Sequence, residues 1–214
     1  MSTHKNHANT AEKNHDMSVA DGGLLRGSAA LAIISLIGFG FLYPLASVGL
    51  SQVLLNGPAS GSLIERNGQV VGSRLVAQPF LDDRYFYSRP SAADYNPMEV
   101  GGSNQARTNP ALRQRVEEAR TAIVQQTGLT PAEVPSDLIT QSGSGIDPHI
   151  SPQAAAIQIS RVASARGIAP EIVEAMVAQH TQGKQFGLLG QPHVNVLELN
   201  LAMDESDFQT VTTQ

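Results

Sequence analysis

Charged residues are distributed so that one long apolar stretch stands apart from the rest of the chain. Between Arg26 and Glu65 there is no Asp, Glu, Lys or Arg, and the apolar segment from Ala29 to Leu50 lies within that gap. A bilayer core about 30 Å thick requires roughly 20 apolar residues in a helix. The pattern therefore predicts a transmembrane helix region over residues 24–55. A cleaved signal peptide is disfavoured because its apolar region is only about 7–15 residues long.

Two glycines and a proline make this segment a candidate surface for contact with other membrane helices. Gly38 and Gly40 are small enough to let a neighbouring helix approach closely. Pro44 would kink an isolated helix, and neighbouring helices can compensate for the backbone hydrogen bond that it removes. The alternative is a plain anchor with ordinary membrane glycines, and the segment alone leaves both interpretations open.

The residues on either side of the apolar segment have different patterns. Residues 1–21 are polar, rich in His and Asn and without apolar periodicity, so they are expected to form a disordered tail with solvated histidines. Residues 56–61 have the composition of a turn and are expected to be a short linker. Residues 62–214 are expected to form a mixed α/β (α+β) soluble domain.

Turn and capping signals predict the elements of this domain. Asn67-Gly68 favours a type I′ hairpin turn, which predicts a strand on either side of it. Helices are predicted to begin at Pro110, Pro152 and Pro170, since proline is tolerated at the first helical position. Gly167 is expected to end the second of these helices in a left-handed conformation.

Two further segments are predicted to contain β-structure. The aromatic segment over residues 84–97 is expected to begin with the end of a strand and to continue as a loop. Near the C-terminus, Leu197, Leu199 and Leu201 alternate with polar residues, and this alternation predicts a half-buried strand.

Composition and motifs exclude several classes of function. The 214 residues have a net charge of −5, no cluster of Lys and Arg and no Trp, so nothing indicates nucleic-acid binding. Without cysteine, a thiolate metal site and a Cys nucleophile are excluded. The chain has no Gly-x-x-x-x-Gly-Lys-Ser/Thr motif and no Asp-Lys-Thr-Gly motif. The chain is therefore not expected to hydrolyse ATP itself.

Two polar, glycine-rich segments remain as places for chemistry, Gly101–Asn104 and Ser142–Ser151. In the second segment, Asp147, His149 and Ser151 have the residue types of a catalytic triad, but their spacing does not impose triad geometry. The alternative is structural: Asp147 initiates a turn and Ser151 caps the helix that begins at Pro152. For these reasons no catalytic residue is predicted. No metal site is predicted either, because the histidines outside the tail are scattered along the sequence.

Several strings of the sequence resemble one family, the C subunit of the Kdp potassium-transporting P-type ATPase (KdpC). The resemblance begins at "YPL" (Tyr43–Leu45) and continues through "GSLIERNGQVVGSRLVAQPF" and "NPALRQRV". It extends through "VPSDLITQSGSGIDPHISPQAAAIQISRVASARG" to "LGQPHVNVLELNLAMD" near the C-terminus. It covers the apolar segment and nearly all of the predicted domain.

The resemblance implies a non-catalytic subunit of a complex that imports K⁺ at high affinity, driven by ATP. Its partners would be a channel-like potassium-binding subunit, an ATP-hydrolysing P-type subunit and a small peptide subunit. In this family the subunit is described as a catalytic chaperone that raises the ATP affinity of the hydrolysing subunit. No cofactor is expected to bind tightly to the chain, and ATP would be met only through the complex. The family also points to Gln182 as a nucleotide-related residue.

Flanking charge favours one orientation in a bacterial inner membrane. Lys13 and Arg26 precede the apolar segment closely, whereas Arg66 is the nearest base after it, so the N-terminus is expected in the cytoplasm and the domain outside. Asp147 and His149 are then candidates for partner contact, as are the two glycines and the proline of the segment. The alternative function is a membrane-anchored extracytoplasmic hydrolase that uses Asp147, His149 and a serine.

Overall fold

The computed structural model describes residues 21–212, and these residues belong to two compact units divided between Ala59 and Ser60. Asp21, expected to end the tail, is the first residue of a helix. The tail predicted for the residues before it lies outside the described part of the chain, together with its histidines.

The first unit is helical. It contains α1 (Asp21–Ile37), a π-helical turn (Gly38–Leu42), α2 (Tyr43–Leu54) and the single turn α3 (Asn56–Ala59). Among the described residues, the continuous helix from Gly23 to Leu54 is the one long and apolar enough to cross a membrane. Its large apolar side chains are exposed on all sides, as expected of a helix whose surroundings are lipid or other helices. The first four residues of the expected linker form α3.

The π-helical turn lies directly before Pro44 and accounts for the continuity of the helix there. Proline has no N–H, and its ring collides with the carbonyl group four residues earlier in a regular α-helix. The Tyr43 N–H donates to the Gly38 carbonyl oxygen, five residues back, which widens the helix by one residue. Pro44 then lies in the first turn of α2, where proline is tolerated.

The second unit contains helices and short strands. Its helices are α4 (Pro110–Thr127), α5 (Ser136–Ile139), α6 (Pro152–Ala156), α7 (Ile159–Arg166), α8 (Pro170–Gln179) and α9 (Val196–Thr212). Its strands are β1 (Leu63–Arg66), β2 (Gln69–Ser73), β3 (His149–Ile150), β4 (Thr181–Gln182) and β5 (His193–Asn195). The mixed fold predicted from the sequence is confirmed.

The strands form two small antiparallel sheets. β1 and β2 are a hairpin whose turn residues Asn67 and Gly68 have φ values of 52° and 76°, as the predicted turn requires. In the second sheet β5 lies between β3 and β4. The second sheet is built from residues far apart in sequence, so no local hairpin signal marks the β3–β5 pair.

The hydrophobic core lies between this sheet and the helices α6 to α9. Phe86 is fully buried within it, and the side chains around it come from four helices and two strands. The other fully buried large apolar side chains are Ile150, Leu199, Met203, Val162, Val173, Val194 and Val196. By contrast, no side chain of α4 (Pro110–Thr127) is buried, so that helix contributes little to the core.

The predicted strand over Leu197 to Leu201 is wrong, because these residues belong to α9. Asn195 precedes the helix and its Oδ1 accepts the Glu198 N–H at 3.1 Å, which satisfies one free donor of the first turn. Val196, Leu199 and Met203 are buried at helical spacing. The alternation of leucines coexists with this helical pattern, and the cap and the packing decide in favour of the helix.

The predicted helix after Pro152 is confirmed at both ends but is interrupted in the middle. Ser151 caps it, its Oγ accepting the Ala154 N–H at 3.0 Å, and Gly167 ends it with φ 66°. Between them the helix breaks at Gln158, so that α6 and α7 are separate. The Gln158 side chain leaves the helical surface to bind the backbone of a neighbouring segment.

That neighbouring segment is 83–87, and the predicted strand end within it is wrong. Its backbone is bound by side chains from the helices instead of by a strand. Asn200 accepts the Phe86 N–H at 2.8 Å and donates to the Phe86 carbonyl oxygen at 3.0 Å. Gln158 accepts the Tyr87 N–H at 2.7 Å and donates to the Tyr87 carbonyl oxygen at 3.3 Å. Two amide side chains therefore replace the ladder that a second strand would supply.

Arginine side chains complete this binding of segment 83–87. Arg161 donates to the carbonyl oxygens of Asp83 at 2.7 Å and Tyr85 at 3.0 Å. Arg166 donates to the Arg84 carbonyl oxygen at 2.7 Å. The guanidinium of Arg161 also stacks on the Tyr87 ring, 3.9 Å from its centroid. The segment is thus fixed to α7 and α9 without belonging to a sheet.

We call the second unit the soluble unit. We predict that Asn200→Ala lowers its free energy of unfolding by about 3 kcal/mol, because the substitution leaves the buried N–H and carbonyl groups of Phe86 without partners. Urea denaturation of the full chain in mild detergent, followed by circular dichroism, measures the change. Gln114→Ala is the control, since Gln114 is exposed on α4 and its side chain donates to Glu118 on the same helix. An equal, small effect of both substitutions would contradict this role of Asn200.

Candidate functional site

A polar, concave surface lies beside β3 and encloses a cavity of about 620 Å³. The ionisable side chains that line it are Arg89, Glu133, Asp137, Asp147, His149 and His193. We call this surface the β3 face. It is the part of the soluble unit where candidate chemistry from the glycine-rich segment Ser142–Ser151 meets residues from other segments.

Asp147 is bound from both sides on the β3 face. Its Oδ2 accepts from Arg89 at 3.1 Å, and its Oδ1 accepts the His149 N–H at 3.0 Å. The His149 ring nitrogen Nδ1 lies 3.4 Å from Oδ1. Partial burial raises the pKa of Asp147, but the hydrogen bonds from His149 and the charge of Arg89 outweigh it, so that the pKa is lowered from its ordinary value. Asp147 is therefore an anion at neutral pH.

A pair of imidazoles also brings together residues on the β3 face that are distant in sequence. His149 of β3 and His193 of β5 lie with ring centroids 4.5 Å apart and nearly perpendicular planes. They are brought together because β3 pairs with β5. Even so, no group of three or more metal-binding side chains occurs among the residues that the structure describes.

The Ser151 hydroxyl makes structural hydrogen bonds with Asp137 and the start of α6, and not with His149, the base that a triad would require. Its Oγ donates to Asp137 Oδ1 at 3.2 Å and accepts the Ala154 N–H, and its own N–H donates to Asp137 Oδ2 at 2.6 Å. The hydroxyl is thus part of the start of α6, and its acid partner is Asp137. Asp147, His149 and Ser151 share one segment without forming a triad.

The two glycine-rich segments lie against each other, which explains their glycines. The Gly101 N–H donates to the Ser144 carbonyl oxygen at 2.9 Å, and Ser91 Oγ donates to the Gly145 carbonyl oxygen at 2.6 Å. A Cβ at Gly102 would lie 2.9 Å from the Gly143 carbonyl oxygen, and Gly145 has φ 74°. Close backbone approach therefore accounts for Gly102, and close approach together with the left-handed conformation for Gly145.

The remaining candidate residues are not among those that line the β3 face. Gln182 is in β4, is exposed and pairs with His193 across the sheet. In the first unit, Gly38 and Gly40 lie in the π-helical turn and Pro44 follows it. A Cβ at Gly38 would meet none of the described atoms within 4 Å, so that position is open to an approaching surface.

Arg89, Asp137 and His193 are among the residues of the β3 face that sequence reasoning missed. Arg89 comes from the loop after segment 83–87, Asp137 from α5 and His193 from β5. Each reaches the face through long-range packing, and no local motif marks them. Arg89 stands alone before Pro90, and Asp137 is an acid in the first turn of α5. Neither position indicates from the sequence which residue the side chain will contact.

A second, larger cavity of about 680 Å³ lies beside α4. Its apolar wall includes Ala119, Ile123 and Leu138, and its polar residues include Gln158 and Arg161. The polar groups of Gln158 and Arg161 are already hydrogen-bonded to the backbone of segment 83–87. This cavity therefore reflects the loose packing of α4.

Comparison with known proteins gives one consistent result. Residues 25–205 match the family described as KdpC, the c chain of K⁺-transporting ATPase. A potassium-transporting ATPase KdpC subunit from Xanthomonas campestris pv. campestris (strain B100) is 50% identical over 190 residues, which cover 89% of this chain and 91% of the relative. One from Shewanella putrefaciens (strain CN-32 / ATCC BAA-453) is 46% identical over 181 residues, covering 85% and 89%.

We predict that Asp147→Asn lowers stability at pH 7 by about 2 kcal/mol, because hydrogen bonds to a charged acceptor are lost. The folded pKa of Asp147 lies below its ordinary value of 3.8. Its contribution is therefore complete above pH 3.8 and disappears as the pH falls through the folded value. Urea denaturation of both proteins from pH 7 to pH 3 measures the difference.

The control for this pH series is Asp94→Asn, since Asp94 is exposed and Asn tolerates its positive φ of 47°. A difference between the wild type and Asp147→Asn that grows as the pH falls would contradict the lowered pKa.

Proposed function

The chain belongs to the KdpC family, the c chain of K⁺-transporting ATPases, and from that premise we propose that it is a non-catalytic subunit of the high-affinity, ATP-driven potassium import complex. The observation that supports this most strongly is the extent of the family match, because residues 25–205 include both the apolar helix and the soluble unit. K⁺ is then the transported ion, and the chain itself binds no cofactor tightly.

The partners in this proposal are a channel-like potassium-binding subunit, an ATP-hydrolysing P-type subunit and a small peptide subunit. The helix from Gly23 to Leu54 has exposed apolar side chains along its length. The open position at Gly38, together with the small residue Gly40 and Pro44, offers a partner helix a close approach there. We assign the span to assembly with the membrane helices of the complex.

We further propose a single-pass arrangement in the bacterial inner membrane, with the N-terminus in the cytoplasm and the soluble unit outside. The support is the charge asymmetry, with Lys13 and Arg26 before the span and Arg66 as the first base after it. In this arrangement the β3 face, with Asp147 and His149, meets the extracytoplasmic side of a partner. Both side chains are partly exposed there, with relative exposures of 30% and 36%.

The effect of the subunit on ATP is proposed to be indirect. ATP is cytoplasmic, so a unit on the other side of the membrane cannot contact it while the complex is assembled. A catalytic chaperone of this kind raises the ATP affinity of the hydrolysing subunit through a coupling free energy, typically about 1–3 kcal/mol. The membrane span transmits that coupling. Gln182, exposed in β4, would become nucleotide-related only with the opposite orientation.

The alternative, an extracytoplasmic hydrolase, lacks geometric support. Asp147 and His149 are close, with Oδ1 and Nδ1 3.4 Å apart, which is the acid–base half of a triad. Ser151, however, donates its hydroxyl hydrogen to Asp137 and caps α6. Asp147 is in addition paired with Arg89. These contacts favour a structural and partner-binding role over catalysis.

We predict that adding the chain to the other subunits, reconstituted in vesicles, lowers the ATP concentration for half-maximal K⁺-stimulated hydrolysis about 5- to 150-fold, which corresponds to a coupling of about 1–3 kcal/mol. Hydrolysis is measured as phosphate release over a range of ATP concentrations. The chain alone is the control and should release no phosphate.

An unchanged ATP dependence in the presence of stoichiometrically bound chain would contradict the proposed coupling. Phosphate release by the chain alone, abolished in His149→Ala, would favour the hydrolase instead.

A further inference from the structure

The hairpin between β4 and β5 ends in a ten-residue loop, residues 183–192, that exposes three large apolar side chains. Phe186 is 91% exposed, Leu188 82% and Leu189 61%. We call residues 184–189 the apolar tip. Contiguous exposed apolar side chains on a soluble unit indicate a contact surface. The tip belongs neither to the residues that line the β3 face nor to the membrane span. The contact it makes is therefore distinct from those proposed above.

The apolar tip is an ordered turn in which four backbone N–H groups are bound internally. The Gln185 N–H donates to the Leu189 carbonyl oxygen at 2.8 Å, and the Leu189 N–H donates back to Gln185 at 2.9 Å. The N–H groups of Gly187 and Leu188 donate to Lys184 and Gln185. Because these donors are already bound, the tip can enter an apolar medium without leaving them unpaired.

Backbone conformation holds the aromatic ring outward at a cost in strain. Phe186 has φ 53°, in the left-handed region that bulky residues rarely adopt, and Gly187 follows with φ 73°. Strain of this kind persists where the surrounding structure imposes it and is concentrated at functional positions. A loop that needed only to connect two strands would not require an exposed phenylalanine in this conformation.

We propose that the apolar tip inserts into the surface of the lipid bilayer in which the same chain is anchored, with Phe186, Leu188 and Leu189 at the boundary between head groups and acyl chains. Aromatic and leucine side chains are those that enter this boundary. Lys184 is the one charged residue of the loop 183–192 and fits anionic phospholipid head groups.

Size and connectivity favour lipid over a protein partner as the occupant. Three exposed side chains fall short of the roughly 800 Å² that each partner of a stable protein interface buries. Residues 55–62 join α2 to β1 and span at most about 30 Å when extended. A tether of that length gives a high effective concentration of bilayer, so a weak contact of the tip is sufficient.

Tryptophan fluorescence tests the proposal directly, because the natural chain contains no Trp. Full-length Phe186→Trp is reconstituted without other subunits in vesicles of phosphatidylethanolamine and phosphatidylglycerol. We expect emission shifted to shorter wavelength, and loss of emission when the acyl chains carry bromine. This result does not depend on orientation, since either leaflet offers lipid, or on the proposed role in potassium import.

Met98→Trp is the matched control, since Met98 is 89% exposed and lies outside the tip. Its emission should stay at the wavelength of water-exposed Trp and be quenched by iodide, not by brominated lipid. Leu188→Trp is a second reporter at the tip, in case the left-handed position 186 does not accept Trp. Circular dichroism confirms that each variant is folded.

Water-like emission from both tip reporters, with quenching by iodide as in the control, would overturn the proposal. Emission that shifts only after the other subunits of the complex are added would also overturn it and would assign the tip to a protein partner. Loss of the shift in Phe186→Trp when Leu188 and Leu189 are both changed to Ser would support insertion of the tip as one unit.

Discussion

The soluble unit depends on one requirement. The backbone N–H and carbonyl groups of the segment 83–87 must be hydrogen-bonded although no strand lies beside it. Phe86 is fully buried, and the polar groups of its backbone would be costly without partners. Asn200 and Gln158 supply both a donor and an acceptor each, and Arg161 supplies two donors. Gln158 can reach Tyr87 because the helix around it is interrupted. The break between α6 and α7 and the position of α9 are therefore consequences of the same interaction.

The parts of the fold that sequence predicts are those fixed by neighbouring residues. Asn67-Gly68 forms its turn, Ser151 caps its helix and Gly167 ends it, because each effect involves residues only a few positions away. The errors arise where distant partners decide. The start of residues 84–97 is predicted to be the end of a strand, yet amide and guanidinium side chains bind its backbone in place of a strand partner. In α9 a period of two and a helical period fit the same leucines, and the cap at Asn195 together with burial selects the helix.

The candidate site follows the same division. Asp147 and His149 could be singled out from one loop, but Arg89, Asp137 and His193 reach them only through tertiary packing. These partners give the residues of the loop Ser142–Ser151 structural roles. Asp147 is paired with Arg89, Ser151 begins a helix, and Gly145 lets two backbone segments meet. A surface of this kind is suited to recognition, in line with the proposed role as a subunit that acts through its partners.

The central claim is that this unit influences ATP hydrolysis from the opposite side of the membrane, and its topology tests that claim most directly. The chain has no cysteine, so Met98→Cys and Ser18→Cys each provide a single reporter, one in the soluble unit and one before the span. Both are treated in intact spheroplasts with a membrane-impermeant maleimide. The account predicts labelling of the cysteine at 98 at once and of the cysteine at 18 only after permeabilisation. The reverse pattern would place the soluble unit with the nucleotide and contradict action through the membrane span.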